Sequence, residues 1–278
     1  MSMALTSEST SRYLDLPSGR VHFNEAGEGH PLLLLHGSGP GATGWSNFGG
    51  NIAELAEHFT CYALDLPGWG RSYSAAPEDR DYVKIAVEFL DALGVERAAF
   101  VGNSLGGMIA IRFAIEHGAR QSHLIAMGPA VGGAKLFSAA DGPSEGMKVL
   151  RRAYERPGID SMRELVDVMV YDAGDQAETV AQQRLEALLA NPDHIANYLA
   201  SELGPRDFPG EEAIAGITSP TLLIHGRDDR VLHYEHSLKL LSLIPDSRLA
   251  LFNRCGHWAQ VERAAEFNRL VTDFVANN

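Results

Sequence analysis

Gly102-Asn103-Ser104-Leu105-Gly106 stands between an apolar run, Ala98-Ala99-Phe100-Val101, and a helix-like run from Met108 to Ala114. Strand, sharp turn, then helix is the setting in which G-x-S-x-G marks a nucleophile elbow, with the serine held exposed on a strained turn. Glycine at both flanks removes Cβ atoms that would clash where the chain reverses. The helix N-terminus just beyond lends partial positive charge to a developing oxyanion. Five residues alone also fit an ordinary glycine-rich turn, so the rest of the chain has to supply an acid and a base.

Both follow in the order serine, acid, histidine. Pro220 to Gly226 reads as a buried strand, and Arg227-Asp228-Asp229-Arg230 is the polar loop at its C-terminal end. Asp229 is the expected acid, because in this fold the carboxylate stands three residues after the glycine. Asp228 reads as a capping or solvated carboxylate. Ser247 to Phe252 reads as a last strand, and His257 lies in the loop that leaves it. The chain has 11 histidines, and His257 is set apart by its order and setting. A neutral imidazole there takes the serine proton, while Asp229 fixes the tautomer.

Strand patterns at Tyr13–Leu16, Arg20–Glu25, Pro31–His36, Thr60–Leu64, Ala98–Gly102, His123–Met127, Thr221–His225 and Arg248–Phe252 alternate with helical ones such as Val83–Leu93, Leu105–Glu116, His236–Leu243 and Arg263–Val275. This predicts an α/β fold with a mostly parallel eight-stranded sheet covered on both faces. The alternation breaks over 134–212, where four helix-like runs appear instead: Glu145–Glu155, Ser161–Tyr171, Thr179–Ala190 and Asp193–Ser201. The expected organisation is a core in two parts, 1–133 and 213–278, with a helical lid at 134–212 between them. Lids exclude water and supply substrate contacts.

Composition narrows the partners. The 278 residues carry a net charge of −13 and no basic tract, which argues against nucleic acid. An anionic substrate would be repelled by the overall field and would need a few local cations. No stretch approaches the roughly 20 apolar residues of a membrane span. The polar start shows no signal peptide. Two cysteines, Cys61 and Cys255, make no disulfide framework, and a cytoplasmic location is expected. No His/Cys cluster has metal-ligand spacing. Small residues in the loop after the third strand, from His36 to Asn47, let backbone amides approach a substrate oxygen. An amide of this loop and the Leu105 amide are the expected oxyanion donors, with His36 bracing the loop.

H-G-S-G-P-G-A-T-G-W-S-N from His36, G-N-S-L-G-G from Gly102, G-R-D-D-R from Gly226 and C-G-H-W-A-Q from Cys255 together resemble the meta-cleavage product hydrolases of the α/β-hydrolase superfamily. The resemblance covers nearly the whole chain. It implies cleavage of a carbon–carbon bond in 2-hydroxy-6-oxohexa-2,4-dienoates, with neither a metal nor an organic cofactor. It makes Ser104, Asp229 and His257 the triad and puts Ser38, Gly39 and Leu105 around the oxyanion. Asn47, Asn103, Arg184 and Trp258 would bind the dienoate carboxylate and 2-oxygen. Met169 takes a lid position that is aromatic in relatives acting on phenyl substrates, so either an alkyl or an aryl group at carbon 6 fits. Relatives commonly form homo-oligomers, dimers or larger. A carboxylesterase on the same triad and a non-catalytic ligand receptor on this fold stay open as alternatives.

Overall fold

The computed structural model describes residues 5–133, 136–137, 142–200 and 208–278. Its single sheet has eight strands: β1 (Ser11–Leu16), β2 (Gly19–Ala26), β3 (His30–Leu35), β4 (Phe59–Leu64), β5 (Ala98–Asn103), β6 (Gln121–Met127), β7 (Thr221–Gly226) and β8 (Ser247–Phe252), in the order 1-2-4-3-5-6-7-8. The first two strands pair antiparallel, as do β2 and β4, and the rest of the sheet is parallel. All eight predicted strands are present, with ends that move by one or two residues.

Alternation along the central strands divides one apolar run between two cores. Leu33 and Leu35 pack on one face with Phe100 and Leu223, whereas Leu32 and Leu34 pack on the other with Val101 and Ile224. A strand covered on both faces has no reason to alternate with polar residues, which is why these segments read as continuous apolar runs.

Helices α1 (Gly44–Leu55), α2 (Tyr82–Ala92) and α3 (Leu105–His117) follow β3, β4 and β5. The sequence treated His36 to Asn47 as one loop, but its end is the first turn of α1. Thr43 caps that helix: its hydroxyl accepts from the Ser46 amide at 2.8 Å while the Ser46 hydroxyl lies 2.9 Å from the Thr43 amide. This reciprocal cap satisfies two otherwise orphaned groups and puts Asn47 on a helix rather than in a flexible loop.

Between β6 and β7 the described residues form α4 (Glu145–Glu155), α5 (Ile159–Met169), α6 (Ala177–Leu189), α7 (Pro192–Ala200) and the short α8 (Glu211–Ala215). The predicted helix over Ser161–Tyr171 starts earlier and stops at Met169, where Val170 turns extended (φ −124°, ψ 161°). Residue 134, where the predicted insertion begins, and Ser201, where its last helix ends, lie outside the described residues. The chain closes with α9 (Glu235–Leu243), α10 (Ala259–Glu262) and α11 (Ala264–Ala276). Among the described residues no helix is long and apolar enough to cross a membrane.

Candidate active site

Ser104 lies between β5 and α3 with φ 54° and ψ −113°, a backbone conformation that costs a non-glycine residue roughly 1–3 kcal/mol. Its neighbours make that turn possible. A Cβ on Gly102 would run into the Gly106 carbonyl, and a Cβ on Gly106 would run into that of Leu35. Ser104 donates its amide to Met127 O at 2.8 Å, and its side chain makes no cap bond to α3. The hydroxyl is therefore left to the cavity it lines, about 260 Å³, together with Ser38, Gly39, Asn47, Asn103, Met169, Arg184, His257 and Trp258. A larger groove of about 1080 Å³ runs along α3 past Met108 and Ile109 and contains no member of the expected triad.

The acid and the base meet across two β-strand ends. The His257 Nδ1 lies 2.6 Å from Asp229 Oδ2, while Asp229 Oδ1 accepts the amides of Val231 (2.7 Å) and Leu232 (2.9 Å). Burial by itself would raise the Asp229 pKa. The positive charge that His257 can carry, with hydrogen bonds from His225 and His257, outweighs it and holds the carboxyl well below the usual carboxylate range. Asp229 thus stays ionised, and its hydrogen bond with Nδ1 fixes the tautomer and orientation of the His257 ring. Gly128, at φ 49°, passes beneath this pair; a Cβ there would sit 3.1 Å from the His257 ring.

The His257 loop is docked on α5. Met169 O accepts the amides of both His257 (2.7 Å) and Trp258 (3.2 Å). Glu262 ties the same regions together, accepting from Gly256 N at 2.6 Å and Tyr171 N at 2.8 Å. Met169 is itself 2% exposed and lines the cavity, so the one residue both supports the base and shapes the pocket. Cys255, two residues before His257, is buried, and burial pushes its thiol up to about 12. It is not a thiolate nucleophile at neutral pH.

On the oxyanion side, the loop after β3 lies against the elbow: a Cβ on Gly37 would be 3.3 Å from Ser104 Cβ. Leu105 opens α3, so its amide has no intrahelical acceptor. His36 braces this loop through both ring nitrogens, donating from Nδ1 to Gly37 O (2.7 Å) and accepting the Leu66 amide on Nε2 (2.9 Å). Burial is the main reason its pKa falls to about 4. The unfolded chain takes up this proton below about pH 6.5 and the folded chain does not. Its stabilising contribution is therefore complete above pH 6.5 and lost between there and pH 4. Urea unfolding of the wild type is expected to lose about 3 kcal/mol more over that window than His36→Asn.

A second brace was not legible in the sequence. Tyr154 of α4, 1% exposed, donates its hydroxyl to Ser38 O at 2.9 Å and accepts the Trp69 indole N–H at 2.9 Å. Tyr154→Phe leaves the buried Trp69 N–H without a partner, at a cost of about 1–3 kcal/mol, and removes a donor from the part-buried Ser38 carbonyl. The urea midpoint and kcat are both expected to fall.

Arg184 of α6 is 3% exposed. Its Nη1 donates to Pro40 O at 3.1 Å, its guanidinium stacks 4.2 Å over the Trp258 ring, and its Nε is buried without a hydrogen-bond partner. No carboxylate among the described residues pairs with it. Burial lowers its pKa to about 10, so it is a cation at neutral pH. A buried cation with no counter-ion is costly unless a ligand supplies the charge.

Asn103 adjoins the serine. Its amide nitrogen donates to His257 O (3.1 Å) and Met127 O (3.4 Å), while Oδ1 is buried and unpartnered. The group left over accepts hydrogen bonds, which suits a hydroxyl and not a carboxylate. Asn47 commits its amide nitrogen to Thr43 O (3.1 Å) and Ser46 Oγ (3.3 Å).

Comparison with known proteins agrees with this geometry. Residues 32–270 match the alpha/beta hydrolase family. The chain is 40% identical to a 2-hydroxy-6-oxononadienedioate/2-hydroxy-6-oxononatrienedioate hydrolase of Cupriavidus pinatubonensis, over 99% of this chain and 98% of that protein. It is 41% identical to a 2-hydroxy-6-oxo-6-phenylhexa-2,4-dienoate hydrolase of Comamonas testosteroni, over 98% of each. Among solved structures, a meta-cleavage product hydrolase from Pseudomonas fluorescens, complexed with acetates, superposes with TM-score 0.83 at 31% identity, covering 95% of this chain and 96% of that one.

Proposed function

The chain belongs to the alpha/beta hydrolase family, and on that premise we propose that it cleaves 2-hydroxy-6-oxohexa-2,4-dienoates with Ser104, His257 and Asp229 as its catalytic triad. It is a serine hydrolase of the meta-cleavage product type, acting on carbon–carbon bonds in the degradation of aromatic compounds. The observation that carries the substrate reading is the buried, uncompensated Arg184 guanidinium in the cavity that Ser104 lines. A dienoate carboxylate supplies the missing charge, held by charge-assisted hydrogen bonds over the Trp258 ring. The unpartnered Asn103 oxygen then accepts the 2-hydroxyl, and the far end of the substrate extends toward Met169 and Leu150.

The reaction divides into two stages. Loss of the 2-hydroxyl proton and protonation at carbon 5 convert the dienol to its 2,6-dioxo form. Ser104, deprotonated by His257, attacks carbon 6, and the Ser38 and Leu105 amides hold the oxyanion. As the tetrahedral centre collapses, the bond between carbons 5 and 6 breaks, and its electron pair is delocalised through the enone to the 2-oxygen. That fragment takes up the proton His257 received from Ser104 and leaves as 2-hydroxypenta-2,4-dienoate, which returns His257 to its neutral form. Water, activated by His257, then releases the acid from Ser104.

Helices α4 to α7 act as the lid over this cavity, with Arg184 as its principal contact. A homo-oligomer in the cytoplasm completes the proposal. Turnover in H₂¹⁸O tests the chemistry: label is expected in the released carboxylic acid and absent from the dienoate fragment. Intact dienoate after prolonged incubation would overturn it.

A further inference from the structure

Asp229 is held by two histidines. His225, fully buried on β7, places Nε2 3.2 Å from Asp229 Oδ2, the same oxygen that receives His257 Nδ1, and 2.8 Å from Leu232 O. Both of those atoms are acceptors, so Nε2 carries the proton and shares it between them. The other ring nitrogen lies 2.7 Å from the hydroxyl of Ser237 on α9, also fully buried. Ser237 donates to that nitrogen and so fixes the tautomer that aims N–H at the carboxylate. Asp229 is thereby surrounded by four N–H groups: the Val231 and Leu232 amides on Oδ1, and His225 and His257 on Oδ2.

We propose that His225, set by Ser237, is a positioning residue of the triad, holding the Asp229 carboxylate in the one orientation from which it directs His257. The proposal rests on the catalytic reading above. Physically, a donor on Oδ2 does two things. It stops rotation of the carboxylate, and it withdraws negative charge that would otherwise bind the His257 imidazolium more tightly. Without it, the full carboxylate charge falls on His257, which is then less available as the base.

The other ionisable groups facing this cluster are few. His233, in the loop before α9, faces both His225 and Asp229; burial lowers its pKa, and Glu235, 3.9 Å away, opposes that. The Cys255 thiol, also facing Asp229, stays neutral. All three are unchanged in the variants below.

The test is the pH profile of kcat/KM on a 6-phenyl dienoate for the wild type, His225→Phe, His225→Gln and Ser237→Ala. Phe keeps a planar ring and removes the donor. Its acid limb is expected to move up by about one pH unit, with kcat lower by roughly 10- to 100-fold, the scale of a mis-set reacting group. Gln restores an N–H near the same place and should return the limb toward the wild-type position. Ser237→Ala should move it in the same direction by less, and it decides the question if His225→Phe does not fold. A lower kcat with the limb unmoved in His225→Phe and Ser237→Ala would reduce His225 to packing and overturn the proposal. A wild type that does not turn over dienoate at all would instead overturn the functional reading.

Discussion

Ser104→Ala is expected to abolish dienoate turnover, lowering kcat by about 10⁴-fold or more, while still binding the substrate. The nucleophile can be removed without disturbing its surroundings, because the Ser104 side chain makes no cap bond to α3 and the turn is held by the Ser104 amide on Met127 O. The Arg184 guanidinium, Asn103 and the oxyanion amides do not depend on that hydroxyl. Mixing the variant with dienoate should give a stable complex with a shifted dienolate absorbance and no fragmentation. Wild-type rates in the variant would remove Ser104 from the chemistry and leave the elbow as a structural turn. The same complex should raise the melting temperature, since a ligand that supplies the missing counter-charge binds only the folded chain.

Arg184→Ala is the second large effect, and its value lies in contrast. Truncating one partner of a desolvated, charge-assisted ion pair costs roughly 2–5 kcal/mol, so kcat/KM on a dienoate should fall by about 10²- to 10³-fold. A neutral nitrophenyl ester uses the triad and oxyanion amides but brings no carboxylate, and its turnover should change by only a few-fold. Equal losses on both substrates would mean that Arg184 supports the fold of α6 through Pro40 and Trp258 and has no role in recognising the anion. The distinction bears on stability too: removing an uncompensated buried cation relieves a desolvation cost, and the substrate-free variant should be no less resistant to urea than the wild type.

The parts of this site that follow from strand order were legible in the sequence. Ser104, Asp229 and His257 each stand just past the C-terminal end of a parallel strand, so their convergence follows once β5, β7 and β8 are recognised as strands of one sheet. The glycines of the elbow were legible for the same local reason, since their missing Cβ atoms are what the turn requires. Arg184 was different. Nothing in the periodicity of α6 separates a buried arginine from a solvated one, and only the motif resemblance singled it out.

What stayed hidden was contact between elements distant in the chain. Tyr154 looks like any apolar position of an amphipathic helix until α4 is laid over Ser38 and Trp69. His225 reads as a strand residue, and its role depends on Leu232 and Ser237 turning back toward it. Asn103 was grouped with Asn47, Arg184 and Trp258 around the carboxylate and 2-oxygen without a part of its own, and only the three-dimensional position of the His257 carbonyl shows that its amide nitrogen is already committed. The start of α1 was missed because Gly41, Ala42 and Gly44 suggest a loop, whereas the Thr43–Ser46 cap overrides that local preference.

The most direct test of the account is the rate at which the visible dienolate absorbance disappears when the wild-type protein meets 6-phenyl and 6-methyl 2-hydroxy-6-oxohexa-2,4-dienoates, with a nitrophenyl ester assayed in parallel. Fast bleaching of at least one dienoate, with stoichiometric 2-hydroxypenta-2,4-dienoate and carboxylic acid, is the predicted result. Brisk ester cleavage with both dienoates left intact would contradict it and make the protein an esterase built on the same triad.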